Sequence, residues 1–260
     1  MQTTKKAAVR QEKIRDLLLS KGTVTLNELC QTLCCSEATI RNDLAKLEKQ
    51  GVLKRVAGGA VANENTPRNS VISKRLNEEL EAKNQIAEYV IQNIIRPNMI
   101  ITLDSGTTNM ALAQKLLDYK IPCIIVTNSF HVASIVSKAE NIQLCLAGGC
   151  YDPEHGSFHD EVSDLILKSY RSEICFLSPN GVDKDGTVTN SGLSENSIKK
   201  QMSSQAVRTI LLADNTKLGR TELKIICHAK DVDLLVTDAK ASREQIDALT
   251  AAGFTIAVAG

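Results

Sequence analysis

From Met99 onward the chain repeats one pattern: a short apolar run, then a stretch long enough to hold a helix. The runs cover residues 99–103, 123–126, 143–146, 174–177, 209–213, 234–237 and 255–258. They are rich in β-branched residues and apolar throughout rather than alternately, as strands covered on both faces are. Strands joined through helical crossovers lie parallel, and such sheets are layered between helices. The pattern predicts an α/β fold, a mostly parallel sheet with helices on both faces. Ahead of it, residues 72–95 carry helical periodicity, with Leu76, Leu80, Ile86, Ala87, Val90 and Ile94 at steps of three and four, closed by Pro97-Asn98.

Ligands of parallel sheets bind beyond the carboxyl ends of the strands, and there this sequence turns polar and small. After the first run come Asp104, Ser105, Gly106, Thr107, Thr108 and Asn109, leading into a helix from Met110. Free N–H groups at a helix start, hydroxyls and a glycine allowing close approach form an anion cradle suited to phosphate. The same residues equally serve to turn the chain and cap the helix. Thr127-Asn128-Ser129 follows the second run, Gly148-Gly149 the third, Asn180-Gly181-Val182-Asp183 the fourth and Asp214-Asn215-Thr216-Lys217 the fifth. Each cluster alone is ordinary loop chemistry; five after successive strands point to a ligand site.

The first sixty residues have another rhythm. Residues 9–21 place Ile14, Leu17 and Leu18 at helical spacing, with Gly22 as a stop. Thr25 and Glu28 have capping-box spacing, so a second helix starts near Leu26 and runs to about Leu33. Cys34 and Cys35 fill a short turn, and Ser36 is a good N-cap for a third helix over residues 37–50, stopped by Gly51. Two short strands around Gly58-Gly59 follow as a hairpin. Three helices with a tight turn between the second and third, then a hairpin, make a winged helix-turn-helix. Ser36, Glu37, Thr39, Arg41, Asn42 and Lys46 lie off the apolar stripe of the third helix, where they can reach base edges and phosphates; Lys54 and Arg55 on the wing suit backbone contact.

Charge is distributed to match. Residues 1–61 hold eleven Lys or Arg against six Asp or Glu, leaving 20 basic and 24 acidic residues in the remainder. A basic head on an acidic body fits a nucleic-acid reader joined to a domain that does not touch nucleic acid. The eight cysteines form no Cys-x-x-Cys pair, and Cys123, Cys145 and Cys175 sit within strand runs, so they read as reduced thiols of a cytosolic core. His155 and His159 follow Cys150 at loose spacing and form no recognisable ligand set, so no metal is expected. No secretory h-region follows the first residues and no apolar run approaches a membrane span, which predicts a cytoplasmic protein with no membrane partner.

The run from Ser36 to Gly51, followed by Arg55 and Gly58-Gly59-Ala60, resembles the signature of the DeoR-type family of bacterial sugar-operon regulators, with Asn42 where that family often carries a second arginine. Leu-Asp-Ser-Gly-Thr-Thr (103–108), Val-Thr-Asn-Ser (126–129), Ala-Gly-Gly (147–149), Asn-Gly-Val-Asp (180–183), Glu195 followed by Lys199, and Ala-Asp-Asn-Thr-Lys-Leu-Gly (213–219) are similar to the family's sensor domain. The resemblance implies a ribose-5-phosphate-isomerase-like fold that senses phosphorylated sugars, with Ser105 to Thr108 holding the phosphate and Asp104, Asn128, Gly148, Gly149, Asn180, Asp183, Glu195 and Lys217 lining the rest of the site. It divides the chain into a DNA-binding domain (1–61), a linker (62–71) and a sensor and oligomerisation domain (72–260). The expected function is a ligand-responsive regulator, a repressor, that binds double-stranded operator DNA as a homodimer or homotetramer and needs no cofactor beyond its effector. The rival reading is a sugar-phosphate isomerase-like enzyme fused to a DNA-binding domain, with Glu195 as base and Lys217 as stabilising cation. Against it, the resemblance implies an acidic residue at the position of Asn180, and a carboxamide takes no proton at neutral pH.

Overall fold

The computed structural model describes residues 10–11, 13–14, 17–18, 23–49, 52–62, 72, 75–76, 78–192 and 195–260. The chain divides into two compact units, residues 1–77 and 78–260. The expected linker lies mostly outside the described residues.

In the first unit, Arg10, Gln11, Lys13, Ile14, Leu17 and Leu18 are helical. Two complete helices follow, α1 (Leu26–Leu33) and α2 (Glu37–Lys49). Thr25 Oγ1 accepts from Glu28 N at 3.2 Å at the start of α1, and Cys34 ends it in the left-handed region with φ 49°. Ser36 Oγ caps α2 through Thr39 N. The wing is β2 (Leu53–Val56) and β3 (Gly59–Ala62), and a strand the sequence reading omitted, β1 (Thr23–Thr25), pairs antiparallel with β3. Three residues with one buried position are too few to show a period of two. Ile14, Leu18, Val24, Leu29, Ile40, Leu44, Leu47, Leu53 and Ala60 form one core, so this unit has its own apolar interior.

The second unit opens with α3 (Leu80–Asn93). Periodicity had read one helix from 72 to 95. Ile72, Arg75 and Leu76 are indeed helical, but Glu78 and Glu79 form a turn in which Glu79 has φ 49°. A break this short leaves the apolar spacing nearly in phase, so periodicity reads through it.

All seven expected strands join a single sheet: β4 (Met99–Leu103), β5 (Cys123–Thr127), β6 (Ile142–Leu146), β9 (Ser172–Leu177), β12 (Ala206–Leu212), β14 (Leu234–Asp238) and β15 (Ile256–Ala259). Their order is β15-β14-β12-β9-β4-β5-β6 and every pairing is parallel. The chain enters at β4, winds outward to β6, and returns on the other side of β4 as β9. The connections therefore diverge between β4 and β9, which opens a crevice at their carboxyl ends. The connecting helices are α4 (Thr107–Asp118), α5 (Phe130–Val136), α6 (Glu161–Lys168), α7 (Glu195–Ser204) and α8 (Arg243–Ala251). On one face α3 packs against α4, β14 and β15, and α4 against α5. On the other, Leu167, Ile198, Met202 and Leu249 from α6, α7 and α8 share a core with Cys175, Leu177, Leu211 and Leu235.

Two small additions were not anticipated. The hairpin of β7 (Tyr151–Asp152) and β8 (Ser157–Phe158) follows β6. A second antiparallel sheet joins β10 (Gly181–Val182), β11 (Thr187–Asn190) and β13 (Lys224–His228). No described helix is long and apolar enough to cross a membrane.

Candidate functional site

Asp104 directly follows β4 and is 1% exposed. Its Oδ1 accepts from Gly106 N at 2.8 Å and Asn109 Nδ2 at 2.7 Å; its Oδ2 accepts from Ser178 N at 2.8 Å and Lys199 Nζ at 2.5 Å. Four donors fill the lone pairs of a carboxylate, so Asp104 ties the ends of β4 and β9 to α7 rather than offering a free oxygen to a ligand. Lys199, buried with it, also donates to Ser178 O at 3.1 Å. One turn earlier on α7, Glu195 Oε1 accepts from Ser105 Oγ at 3.1 Å and Oε2 from Asn190 Nδ2 at 3.0 Å. Burial alone would push the Glu195 carboxyl up, but Lys199, His155 and the hydrogen bonds from Asn190 and Ser105 outweigh it and hold it below its ordinary value.

The 104–109 loop then delivers the start of α4. Gly106 has extended backbone and no side chain to cap the helix. The backbone N–H groups of Thr107, Thr108 and Asn109 make no hydrogen bond to another described residue. Three orphan amides therefore stand at the positive end of a twelve-residue helix, at the carboxyl end of β4. The expectation that Gly106 lets a ligand approach needs correcting: a Cβ there would lie 2.2 Å from Ser178 Cβ, so the glycine admits the neighbouring strand end instead.

Around this loop lie buried polar atoms without partners. Of eight among the described residues, five are Asn109 Oδ1, Ser178 Oγ, Asn128 Oδ1, Ser157 Oγ and His159 Nε2, in the first turn of α4, just past β5 and β9, and on or just past the β7–β8 hairpin. Each such atom costs about 1–3 kcal/mol in a dry interior. Their concentration at one end of the sheet is what a polar ligand would relieve.

Other expected site residues are engaged differently. Asn128 spends its Nδ2 on Phe158 O at 2.8 Å and keeps only Oδ1 open. At Gly149 a Cβ would lie 2.3 Å from Asp160 Oδ1, and Gly148 O accepts from Ser163 Oγ at 2.8 Å. The glycine pair thus packs onto the N-terminus of α6, whose N-cap is Asp160. Asn180 donates to Ser191 Oγ, and Asp183 accepts from Lys184 N and Thr221 Oγ1, all within the loops of the small sheet. Lys217 sits half-buried in a 3₁₀ turn after β12, its ammonium without a hydrogen bond or ion pair to a described residue. Lys199, Ser178 and Asn190 were not singled out as lining residues. The spacing of Glu195 and Lys199, four apart on a helix, was the signal that both face the same way.

The smaller unit presents a different surface. Ser36, Glu37, Arg41, Asn42, Lys46, Lys54 and Arg55 are all exposed and Thr39 is half-buried. Arg41 from α2 and Arg55 from the wing line one shallow groove with Leu26, Val56, Ala57 and Gly59. Each guanidinium is held by a glutamate: Arg41 by Glu37 at 2.6 Å, Arg55 by Glu48 at 2.6 Å, with Arg55 N on Glu48 Oε1 as well. Asp43, which the sequence reading did not single out, is buried on the inner face of α2 and accepts from Arg10 and Gln11. The arrangement is a cationic helix and wing edge on a scaffold fixed from behind, as groove reading requires.

Both units have relatives. Residues 10–66 match the family profile described as the DeoR-like helix-turn-helix domain, and residues 78–239 that of the DeoR C terminal sensor domain. The HTH-type transcriptional regulator IolR of Bacillus subtilis is 33% identical over 83% of this chain and 84% of its own. The HTH-type transcriptional repressor GlcR of the same organism is 30% identical over 94% and 93%, and the L-fucose operon activator of Haemophilus influenzae 30% over 88% and 91%. Among solved structures, ribose 5-phosphate isomerase A of Methanocaldococcus jannaschii aligns with 53% of this chain and 54% of its own at 16% identity and a TM-score of 0.40. With a DNA-reading unit and a sensor unit each matched in full sequence order, the chain belongs to the DeoR family of transcriptional regulators.

Proposed function

We propose that this regulator is a repressor of a carbohydrate catabolic operon, its operator affinity set by a phosphorylated sugar, or a derivative of one, bound in the crevice between β4 and β9. The observation that carries the reading is the start of α4, where three N–H groups lack an acceptor among the described residues. A phosphate there gains charge-assisted hydrogen bonds and the helix dipole together. The open polar atoms of Ser178, Asn109 and Asn128 then serve the hydroxyls of the sugar, while Asp104–Lys199 and Glu195 fix the frame. A relative named for an L-fucose operon supports the sugar, and relatives named as an aga operon repressor and as the repressor GlcR support the sign, although the L-fucose relative is an activator.

Catalysis is not part of the proposal. A general base works best with a pKa near the operating pH, whereas Glu195 is held below its ordinary value with both oxygens already accepting. A single small helix-turn-helix reads too few bases for tight binding, so a homodimer or homotetramer engages repeated half-sites. An effector that favours one arrangement of the oligomer shifts operator affinity by linkage. The cytoplasm suits such a protein, and the free thiols fit that compartment.

Thr107→Glu tests the cradle. Thr107 is half-buried at the first position of α4, so its carboxylate would occupy the phosphate position at little steric cost. Gly106 is unsuitable, because of Ser178. The variant, shown folded by circular dichroism and unchanged in size by gel filtration, should bind operator normally and ignore sugar phosphates. A folded variant that still releases DNA at wild-type effector concentration would sink the proposal.

A further inference from the structure

The β7–β8 hairpin carries Asp152 at the end of its first strand, His155 in its turn and His159 just past its second strand. A hairpin of two-residue strands is not stable alone, and this one is fastened to the loop after β5. Phe158 N donates to Asn128 O at 3.0 Å, Asn128 Nδ2 to Phe158 O at 2.8 Å, and Phe130 N to Gly156 O at 3.0 Å. Tyr151 packs edge-on against Phe130 and tilted against Phe158. Gly156 has φ 64°, and a Cβ there would meet the His131 ring at 2.4 Å, so the turn that aims His155 has little freedom.

Held this way, two imidazoles converge on one carboxylate oxygen. His155 Nδ1 is 2.7 Å and His159 Nε2 3.3 Å from Asp152 Oδ2. The His159 side chain is 6% exposed, yet its Nε2 finds no hydrogen-bond partner. His159 Nε2 faces the carboxylate without making a hydrogen bond to it, and a cation between the two would satisfy both. In a tetrahedral site with bonds of about 2.0–2.1 Å, ligand atoms stand about 3.3–3.4 Å apart. The His159 pair already has that spacing, and the His155 pair reaches it by opening about 0.6 Å. The second nitrogen of His155 faces Glu195 Oε2 at 3.8 Å, where an outer carboxylate orients a ligating imidazole.

We propose that Asp152, His155 and His159 bind a divalent transition-metal ion of the zinc class. Two imidazoles and one carboxylate select such an ion over calcium or magnesium, which take all-oxygen shells. Three protein ligands leave a fourth position for water or a ligand oxygen. Sequence spacing measured from Cys150 concealed the set, because the third ligand is Asp152. Glu195 also accepts from Ser105 of the α4 loop, so the ion and the crevice share one carboxylate. The three ligands are complete without any effector, so the proposal stands apart from the sugar-phosphate reading.

Cobalt(II) added to the full-length, chelator-treated protein tests this without effector or DNA. Expected are visible ligand-field bands saturating at one ion per chain, free of thiolate charge transfer and displaced by zinc. His159→Gln and Asp152→Asn, each confirmed folded, should weaken binding at least about tenfold, no less than the loss of an outer partner costs. His228→Gln, on the small sheet, should change nothing. No one-to-one cobalt spectrum in the wild type, a thiolate spectrum from the exposed Cys34 and Cys150, or full affinity in both ligand variants would each overturn the proposal.

Discussion

Arg41 and Glu37 on the recognition helix meet at 2.6 Å while their side chains remain 62% and 59% exposed. Lys199 and Asp104 beneath the crevice meet at 2.5 Å with 3% and 1% exposed. The distances are alike and the consequences opposite. Water screens the first pair, which contributes at most about 1 kcal/mol and is readily exchanged for a phosphate of DNA. The second pair has given up its hydration, so either partner alone would be a stranded charge. One unit keeps its charges exposed to solvent; the other uses them to hold a frame around the backbone amides at the start of α4.

The sharpest test of that contrast is Lys199→Met, which keeps the bulk and removes the charge. Asp104 would retain its three other donors but lose its only cation among the described residues, at a cost of about 3–5 kcal/mol. Urea denaturation followed by circular dichroism measures it. A loss under about 1 kcal/mol would mean that Asp104 is adequately satisfied by amides and that the buried pair resembles the exposed one after all.

Arg41→Ala probes the other unit and should act on DNA rather than on folding. If Arg41 reads a base, operator affinity should fall by about 1–3 kcal/mol with relaxed specificity at one position; if it holds a phosphate, the salt slope should drop by about one. Gel-shift titrations at several salt concentrations separate the two. Unchanged affinity and slope would remove Arg41 from the interface, leaving Arg55 as the groove's reader.

The same contrast explains what the sequence could reveal. Strands buried on both faces need continuous apolar runs, which is why all seven strands of the main sheet could be located. Cys175, Leu177, Ile174 and Phe176 of β9 show why, since both faces of that strand are covered. Exposed cations on an amphipathic helix are likewise visible, because the apolar stripe fixes what points outward. The frame is not visible, because its partners are distant: Asp104 and Lys199 are 95 residues apart. Small residues after strands proved ambiguous for a physical reason. Gly106 and Gly149 are there for the closeness of Ser178 and Asp160, and chain order carries no trace of such approaches. The β10–β11–β13 sheet was missed because two- to five-residue strands show no reliable alternation, and with it the position of Asn190.

The smallest effect, and the one that refines the comparison most, is expected from Glu37→Gln. Removing this carboxylate breaks an i,i+4 pair whose members are both solvent-exposed, so stability should change by about 0.5 kcal/mol or less. Glu37 is also an acid in the first turn of α2, where it interacts favourably with the helix dipole, and that contribution is equally small. Its effect on DNA differs in sign according to its role. If Glu37 only holds Arg41 ready, losing a negative charge should raise affinity for operator and for random duplex alike, severalfold at low salt and less at high salt. If its carboxylate accepts from a cytosine amino group, operator affinity should fall while random-duplex affinity rises. Parallel titrations against the two DNAs distinguish these outcomes. A stability loss of several kcal/mol would instead show that the exposed pair is as structural as the buried one, and the division between the two units would fail at that position.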